Sequence, residues 1–214
     1  YVSMMMYDAN TFDKAGAAYP NENWTFEDFA QAVRALTTYK ADGSVDVPGF
    51  PLYNPALFFY GLNAQPFYDP SVSPSVPKFD HPALPLFAEQ WIALNKDIST
   101  DGQYDYDALA FQSSAPWYTN STGSDQRWES SLMPGGVSSL SIEGFAVSGG
   151  TLNPELSYAL ANFVSTSPEI IDAFGGDTPA RRSMVITNNG RASDYQAVLD
   201  QALENAVPIS ELRF

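Results

Sequence analysis

The fold of this chain is decided at residues 143–155, which read EGFAVSGGTLNPE. The first half is an apolar run of strand length, the paired glycines form a turn, and Asn153 with Pro154 opens a helix. Asparagine is a favoured N-cap, and proline at the first helical position loses no hydrogen bond that the helix would use. The stretch therefore predicts a buried strand at residues 141–147, followed by a helix at residues 154–164.

Apolar periodicity on either side of this stretch predicts many helices and few strands. The opening residues 1–7 have the length of a buried strand. Helices are predicted at residues 11–15 (capped by Asn10 and stopped at Gly16), 25–38 (opened by Thr25 with Asp28), 57–60, 83–96, 105–111, 168–174 and 193–206. Strands separated by helices favour parallel pairing. The predicted fold class is α/β, with a small central sheet flanked by helices.

The helical stripes name the expected core. One stripe is formed by Leu84, Phe87, Trp91 and Leu94, and another by Tyr195, Leu199, Ala202 and Ala206. The helix after the deciding stretch should turn Leu156, Leu160 and Phe163 inward. Residues at this spacing share one face of a helix, so each stripe needs an apolar surface to cover it.

Composition excludes several classes of function. The 214 residues carry a formal net charge of −15 with only 10 lysines and arginines, which argues against a nucleic-acid partner. The absence of cysteine excludes disulfides, zinc–thiolate sites and thiol nucleophiles. No apolar run approaches the ~18 residues of a membrane span. The chain opens inside a strand-like run with no leader, which predicts a further N-terminal portion in the whole protein.

Searching for reactive groups yields little. His81 is the single histidine, so a serine–histidine or histidine–metal site would have to use it, and a place in a loop or helix start is the expectation. The acidic residues at 101–107 lack the offsets of a calcium loop and are predicted to form a solvated turn before a helix. Paired carboxylates for glycoside hydrolysis stay open, because their separation is spatial. We predict no metal and no cofactor.

Aromatic residues are the better functional signal. The chain has 4 Trp, 12 Tyr and 14 Phe, more than a small core needs, and several fall in predicted loops. An aromatic face offers apolar area to a sugar ring, and a tyrosine hydroxyl or indole N–H adds a polar group. Trp117 and Tyr118 lie beside Thr119 and Asn120 in such a loop, where binding residues tend to occur.

Five segments in series resemble a known family. Residues 6–16, MYDANTFDKAG, resemble its Tyr-x-Asn-x-x-x-Phe-x-Lys-Ala-Gly segment, with Asp8 in place of the more common Asn. Residues 23–29 resemble its Thr-Trp-x-Glu-Phe/Leu helix start. The remaining segments are Trp128 to Gly136, residues 143–155, in which Phe145 replaces the usual Trp, and residues 175–183 with their Pro-Ala-Arg run. The family that these segments resemble is the extracellular solute-binding proteins of sugar-type ABC importers. Members of this family are similar to maltose-binding protein.

The resemblance implies a lobe of a type II periplasmic-binding-protein-like fold, in which two lobes close around a solute. Residues 1–144 would form the C-terminal lobe, residues 145–175 would cross to the N-terminal lobe, and residues 176–214 would form the C-terminal helices. Residues 3–8 and 141–147 are the candidate hinges. The implied partners are a small solute, the permease subunits and a missing N-terminal lobe. A sugar is the expected solute, and iron or a polyamine, held by clustered Tyr or acidic side chains, stays open. The implied location is periplasmic or at the cell surface, with a lipid anchor through the missing N-terminus.

The resemblance also assigns candidate binding residues. Trp117 and Tyr118 would be stacking platforms, and Phe59 and Tyr60 a second wall. Glu143 and Gly144 would lie at a strand end near the cleft, with Glu143 accepting from a hydroxyl, and Arg181 is a weaker polar candidate. No catalytic residue is implied, so the expected protein is not an enzyme. A glycoside hydrolase fragment and a carbohydrate-binding module are the alternatives.

Overall fold

The computed structural model describes residues 2–50, 55–63, 68–69, 71–72, 76–99, 111–114, 126–140, 144–173 and 195–208. Its helices are α1 (Ala9–Ala15), α2 (Phe26–Leu36), α3 (Pro55–Asn63), α4 (Leu84–Ile98), α5 (Pro154–Thr166), α6 (Pro168–Ala173) and α7 (Tyr195–Glu204). Its strands are β1 (Met4–Asp8), β2 (Thr38–Tyr39), β3 (Val45–Val47), β4 (Tyr68–Asp69), β5 (Val76–Pro77), β6 (Phe111–Ser114), β7 (Trp128–Ser131), β8 (Ser138–Leu140) and β9 (Ala206–Pro208).

The central sheet is built around β1, in the order β6-β1-β7, and both pairings are antiparallel. Met4 pairs with Ser114 on one side, and Met5 pairs with Ser131 on the other. The expected parallel pairing is wrong for this sheet, because four helices and two short hairpins separate β1 from β6. No single crossover helix therefore sets the direction of return. Parallel pairing occurs between β8 and β9, where Ser138 pairs with Ala206.

Strand β1 is buried on both faces, as the opening residues predicted. Side chains alternate across a strand, so Met5 and Tyr7 face one core while Met4 and Met6 face another. Helices α1 to α4 supply the first core. Helix α7 covers the second core through Tyr195, Leu199 and Ala202, as predicted. The small central sheet is thus flanked by helices on both faces.

Aromatic rings fill the larger core. Phe29 is fully buried, with its ring centroid 4.5 Å from that of Phe58 and 5.4 Å from that of Phe50. Phe87 and Leu94 on α4 are buried, and Leu84 and Trp91 pack partly buried against the same cluster. The predicted stripe of α4 is confirmed. Much of the aromatic content is therefore used for packing.

Helix ends follow the sequence signals closely, with one correction. Thr25 caps α2 in a complete capping box with Asp28, and Gly16 ends α1 in the left-handed conformation at φ 65°. The predicted cap of α1 by Asn10 is wrong. Asp8 is the cap, and Asn10 lies inside the helix and donates its backbone N–H to the Asp8 carboxylate.

The strand predicted at residues 141–147 differs from the structure. Residues 144–147 are irregular and exposed, residues 141–143 lie outside the described residues, and the strand in this region is β8, which ends at Leu140. Residues 144–147, which were expected in a buried strand, therefore form an exposed loop. The predicted helix at residues 105–111 also lies outside the described residues, except that Phe111 begins β6.

Helix α5 forms where it was predicted, but its apolar face is uncovered. None of its residues is buried: Leu156, Leu160 and Phe163 are 70%, 62% and 59% exposed. Leu152, just before the helix, is 94% exposed. The inward orientation expected for this stripe finds no core within the described part of the chain. No helix among the described residues has both the length and the apolar character needed to cross a membrane.

Candidate functional site

One end of the central sheet is closed by a polar network. The guanidinium of Arg127 lies 3.0 Å from Glu129 and donates to Asp13 at 3.2 Å and to the Tyr19 hydroxyl at 2.8 Å. Tyr7 donates to Glu129 at 2.8 Å. The two carboxylates are thus held by one cation, which suits a structural clasp between β1, β7 and the segment after α1.

Tyr19 in this network has a perturbed acidity. Its hydroxyl donates a hydrogen bond to the Asp13 carboxylate, and this bond raises the pKa of Tyr19 above its ordinary value. The neutral phenol is the donor form, so the network holds Tyr19 protonated. A protonated tyrosine bonded to a carboxylate and a guanidinium has no free role as a base, which again favours a structural function here.

The opposite end of the sheet brings several chain segments together. Strand β1 begins there, β6 ends at Ser114 opposite Met4, and β8 ends at Leu140, which bridges Val2. The backbone N–H of Ser3 donates to the Ser139 carbonyl at 3.1 Å, and the two serine hydroxyls lie 2.6 Å apart. We call this end, where β1 begins and β6 and β8 end, the exit edge.

The exit edge is where the predicted site residues leave the sheet. Trp117 follows Ser114 by three residues and Glu143 follows Leu140 by three residues, so each backbone reaches at most ~10 Å beyond its strand. Trp117, Tyr118 and Glu143 themselves lie outside the described residues, as does Arg181. Their contacts with a solute stay a prediction, but the strands that lead to the first three end at one edge.

Gly144 is described and exposed, and a Cβ added to it would meet nothing within 4 Å. Its backbone is therefore open to solvent next to the exit edge. Phe59 and Tyr60, in contrast, are interior residues, with exposures of 1% and 3%. Phe59 packs edge-on against Phe87 at 5.3 Å. Neither ring offers an open face to a solute, so the second wall predicted from Phe59 and Tyr60 is wrong.

The two candidate hinge ranges differ in their secondary structure. Residues 4–8 of the first range form β1, which is buried and hydrogen-bonded on both sides. A strand held in this way resists the change in φ and ψ that a hinge must absorb, and only Ser3 of that range lies outside it. Residues 144–147 of the second range are irregular and exposed.

Metal binding and the single histidine can be examined in the part of the chain that the structure describes. No group of three His, Asp or Glu side chains lies close enough to hold a metal ion among the described residues. His81 uses Nδ1 to accept the Ala83 backbone N–H at 3.1 Å, directly before α4. The expected place of His81 at a helix start is confirmed. The acidic run at residues 101–107 lies outside the described residues.

An open groove elsewhere on the surface escaped the sequence analysis. It runs between the start of α2, the end of α3 and the first half of α4, and encloses about 450 Å³. Leu86, 59% exposed, lies on its wall, off the buried stripe of α4. Leu86, an apolar residue outside the buried stripe, is the signal of this groove that the sequence carries. It does not indicate which other segments of the chain form the rest of the groove.

Comparison with solved structures identifies the fold. An ABC substrate-binding protein from Listeria monocytogenes in complex with cycloalternan matches 99% of this chain at 18% identity, with a TM-score of 0.66. A Streptococcus pneumoniae solute-binding protein in complex with the blood group A-trisaccharide matches 97% at 16% identity and 0.65. An Agrobacterium vitis ABC-transporter solute-binding protein with bound D-mannitol matches 95% at 19% identity and 0.63. No protein-family model and no curated protein sequence matches the chain.

These similarities define a class by fold. The chain has the fold found in sugar-type ABC solute-binding proteins, which is the type II periplasmic-binding-protein-like α/β fold that the sequence predicted. It spans 59%, 59% and 56% of the length of the three proteins named above. The matched proteins are binding proteins rather than enzymes.

Proposed function

We propose that this chain is the larger part of the substrate-binding component of an ABC importer, capturing a sugar or oligosaccharide outside the cytoplasm for delivery to a permease. The observation that carries the proposal is the exit edge. Two strand ends there lead within three residues to Trp117 and to Glu143. Stacking rings and a carboxylate are the groups that hold a sugar by its apolar face and its hydroxyls.

The proposed site has a division of roles. Trp117 and Tyr118 stack on sugar rings, and Glu143 accepts from a ring hydroxyl. Gly144, whose Cα is open to solvent, allows a ligand to approach the backbone. Arg181 is a further polar contact. Closure around the solute shifts an open–closed equilibrium through tighter binding to the closed state, and residues 141–147 absorb the change.

The uncovered face of α5 supports a second lobe in the whole protein. Large contiguous apolar patches are rare on isolated soluble proteins, and this chain exposes Leu156, Leu160 and Phe163 together. We propose that residues 145–175 cross to an N-terminal lobe beyond these 214 residues, while residues 1–144 form the C-terminal lobe and residues 176–214 form the C-terminal helices. The proposed location is the periplasm or the cell surface, with a lipid anchor on the missing portion.

The test is solute binding by the full-length protein. A panel of mono- and oligosaccharides and polyols is screened by thermal shift, and the best ligand is measured by calorimetry. Trp117→Ala should lower the affinity tenfold or more, about 1.4 kcal/mol. Trp128→Phe is the matched control, because Trp128 pairs with Asp8 at the opposite end of β1, and its affinity should be unchanged.

Three outcomes would oppose the proposal. Unchanged affinity in Trp117→Ala removes the stacking platform. Turnover of a chromogenic glycoside, abolished by a single Asp or Glu substitution, would identify a glycoside hydrolase. Binding of the 214-residue chain alone to insoluble polysaccharide, without affinity for small sugars, would identify a carbohydrate-binding module.

A further inference from the structure

The groove between α2, α3 and α4 has an apolar floor and wall. Trp24, Phe26 and Phe87 form the floor, with exposures of 6%, 8% and 7%. Leu62 lies beside them, and Leu86 rises from α4 with 59% of its surface exposed. A large apolar side chain entering the groove would contact these groups and would bury the exposed part of Leu86.

The rim of the groove is acidic. Among the described residues that line it, Glu22 and Glu27 are the charged ones, both exposed, and none is a lysine or arginine. Asn23, Asn63 and Gln90 add neutral hydrogen-bonding groups. An incoming group therefore meets two negative charges, and this favours a positively charged partner.

The helix start at the groove does not attract an anion. Thr25 and Asp28 form a capping box in which the Asp28 backbone N–H donates to the Thr25 hydroxyl. The Thr25 N–H donates to the Asp28 carboxylate at 2.8 Å. The first turn of α2 thus already holds a carboxylate at the position that a bound anion would take. Charge at the groove is negative on every side that the structure describes.

The groove is also preformed. Gly135, at its edge, donates its N–H to the Glu22 carbonyl at 3.1 Å, and a Cβ at Gly135 would lie 2.2 Å from the Gly61 carbonyl oxygen. Backbone from three segments is therefore in direct contact here, which fixes the wall before any partner arrives. A rigid site loses little conformational entropy on binding.

We propose that this groove docks a short segment of a partner protein that carries a large apolar side chain beside a lysine or arginine. The apolar side chain lies on the floor against Leu86, and the cation pairs with Glu22 and Glu27. Sites for small solutes enclose most of their ligand. This groove is open along a rim of exposed residues, and that form suits one stretch of a larger molecule.

The groove is distinct from the proposed solute site. Gly135 precedes β8, whereas the exit edge lies beyond the other end of that strand. Solute binding at Trp117 and Glu143 does not require the groove, and docking in the groove does not require a sugar. A negative sugar screen leaves the docking proposal standing, and a negative docking experiment leaves the solute proposal standing.

The test uses the 214-residue chain and an array of nine-residue synthetic peptides of varied composition at 50 mM NaCl. Bound peptides should be enriched in Lys or Arg next to Leu, Ile or Phe. For the best peptide, measured by fluorescence anisotropy, Leu86→Ser should raise the Kd about tenfold, and so should Glu22→Gln combined with Glu27→Gln. Raising NaCl to 500 mM should also weaken binding.

Matched controls come from the same helix. Ile92, 55% exposed, and Glu89, also exposed, lie on α4 outside the groove. Ile92→Ser and Glu89→Gln should leave the Kd within twofold. The proposal is overturned if no peptide binds more tightly than about 1 mM, if bound peptides lack basic residues, or if the control variants weaken binding as much as the groove variants. Full competition by n-hexylamine would assign the groove to a small organic cation and would also overturn it.

Discussion

Asp8 joins three segments of the chain through one buried carboxylate. One oxygen accepts the backbone N–H groups of Asn10 at 3.2 Å and Arg127 at 2.8 Å, and the other accepts the Thr11 hydroxyl at 2.6 Å. The side chain therefore caps α1 and fastens the entry to β7 at the same time. With 4% exposure, it leaves no room for water to replace these bonds.

Asp8→Ala should lower the free energy of unfolding by about 2–4 kcal/mol, because it removes a helix cap and the acceptor of the Arg127 backbone N–H. Asp8→Asn should cost at most about 1 kcal/mol, since the amide oxygen still accepts both backbone N–H groups. Urea denaturation of the two variants measures the difference. Equal losses in the two would show that the negative charge, rather than the hydrogen-bond acceptors, matters at this position.

Glycine at 135 is required by close approach as well as by backbone conformation. Gly135 has φ +87°, and a Cβ there would lie 2.2 Å from the Gly61 oxygen and 2.7 Å from the Leu62 Cα. Gly43 has nearly the same φ, +86°, with nothing within 4 Å of its Cβ position. Substituting each glycine by alanine therefore distinguishes two costs in stability. Gly43 reports the strain of a left-handed backbone alone, and Gly135 reports that strain together with a steric clash.

Gly43→Ala should therefore cost about 1–2 kcal/mol, the strain of a left-handed alanine. Gly135→Ala should cost at least ~2 kcal/mol more, because the clash is with backbone atoms that cannot turn away. Thermal and urea unfolding of both variants give the comparison. Similar losses in the two proteins would mean that the turn before β8 moves easily, and the preformed wall of the groove would then lose its support.

At the scale of elements, α2 shows how a local signal becomes pH-dependent stability. The hydrogen bond from the Thr25 side chain to the Asp28 carboxylate, with the Thr25 backbone bond, lowers the pKa of Asp28. The folded state thus favours the ionised carboxylate. Stability from the capping box is fully present above the ordinary aspartate pKa of about 3.9, and it is lost as pH falls through the lower folded-state pKa.

Thr25→Ala should return the pKa of Asp28 toward its ordinary value and should cost about 1 kcal/mol at pH 7. The cost should shrink at pH values below the pKa of Asp28, because both proteins then lack the ionised partner. Carbon-detected NMR titration follows the Asp28 carboxyl, and denaturation at pH 7 and at a pH below the midpoint of that titration follows the stability. A cost that is the same at both pH values would mean that Thr25 acts through its bond to the Asp28 N–H alone.

At the scale of the whole molecule, helix α5 leaves its apolar face exposed to solvent. Changing Leu156, Leu160 and Phe163 together to Ser should alter the unfolding free energy of the 214-residue chain by less than about 1 kcal/mol, because none of the three is buried. Leu199→Ser on α7 should cost about 3 kcal/mol or more, since Leu199 is 3% exposed. Urea denaturation distinguishes the two.

In the full-length protein the same triple substitution should be strongly destabilising, because the proposed N-terminal lobe would then lose its contact with α5. In the 214-residue chain it should instead reduce binding of a hydrophobic dye. A triple variant as destabilised as Leu199→Ser in the 214-residue chain would show that α5 already packs within this chain, and the division at residues 145–175 would be abandoned.

Local interactions in this chain are predictable from its sequence, and long-range ones are not. Thr25 with Asp28, Gly16 and the stripe through Phe87 and Leu94 are local patterns, and each gave the right helix or helix end. Pairing between β1 and its two neighbours depends on residues more than a hundred positions away, and the predicted parallel direction was wrong. Local periodicity does not indicate which strands pair or in which direction.

Burial was harder to predict than periodicity. The stripe of Leu156, Leu160 and Phe163 looks like that of Tyr195, Leu199 and Ala202, yet the first is exposed and the second is buried. An apolar stripe indicates that a helix has an apolar face. Whether that face is buried depends on other parts of the chain that pack against it. For the same reason, Phe59 and Tyr60 were assigned to a binding wall although they lie in the interior.

The placement of β1 has a consequence for synthesis on the ribosome. Met5 pairs with Ser131, and at ~5–20 residues per second roughly 6–25 s of translation separate the two. Until Ser114 has been made, this methionine-rich strand has both backbone edges vacant, and the edge that pairs with β7 stays vacant until Ser131. A chaperone that holds nascent chains would find its target at that vacant edge.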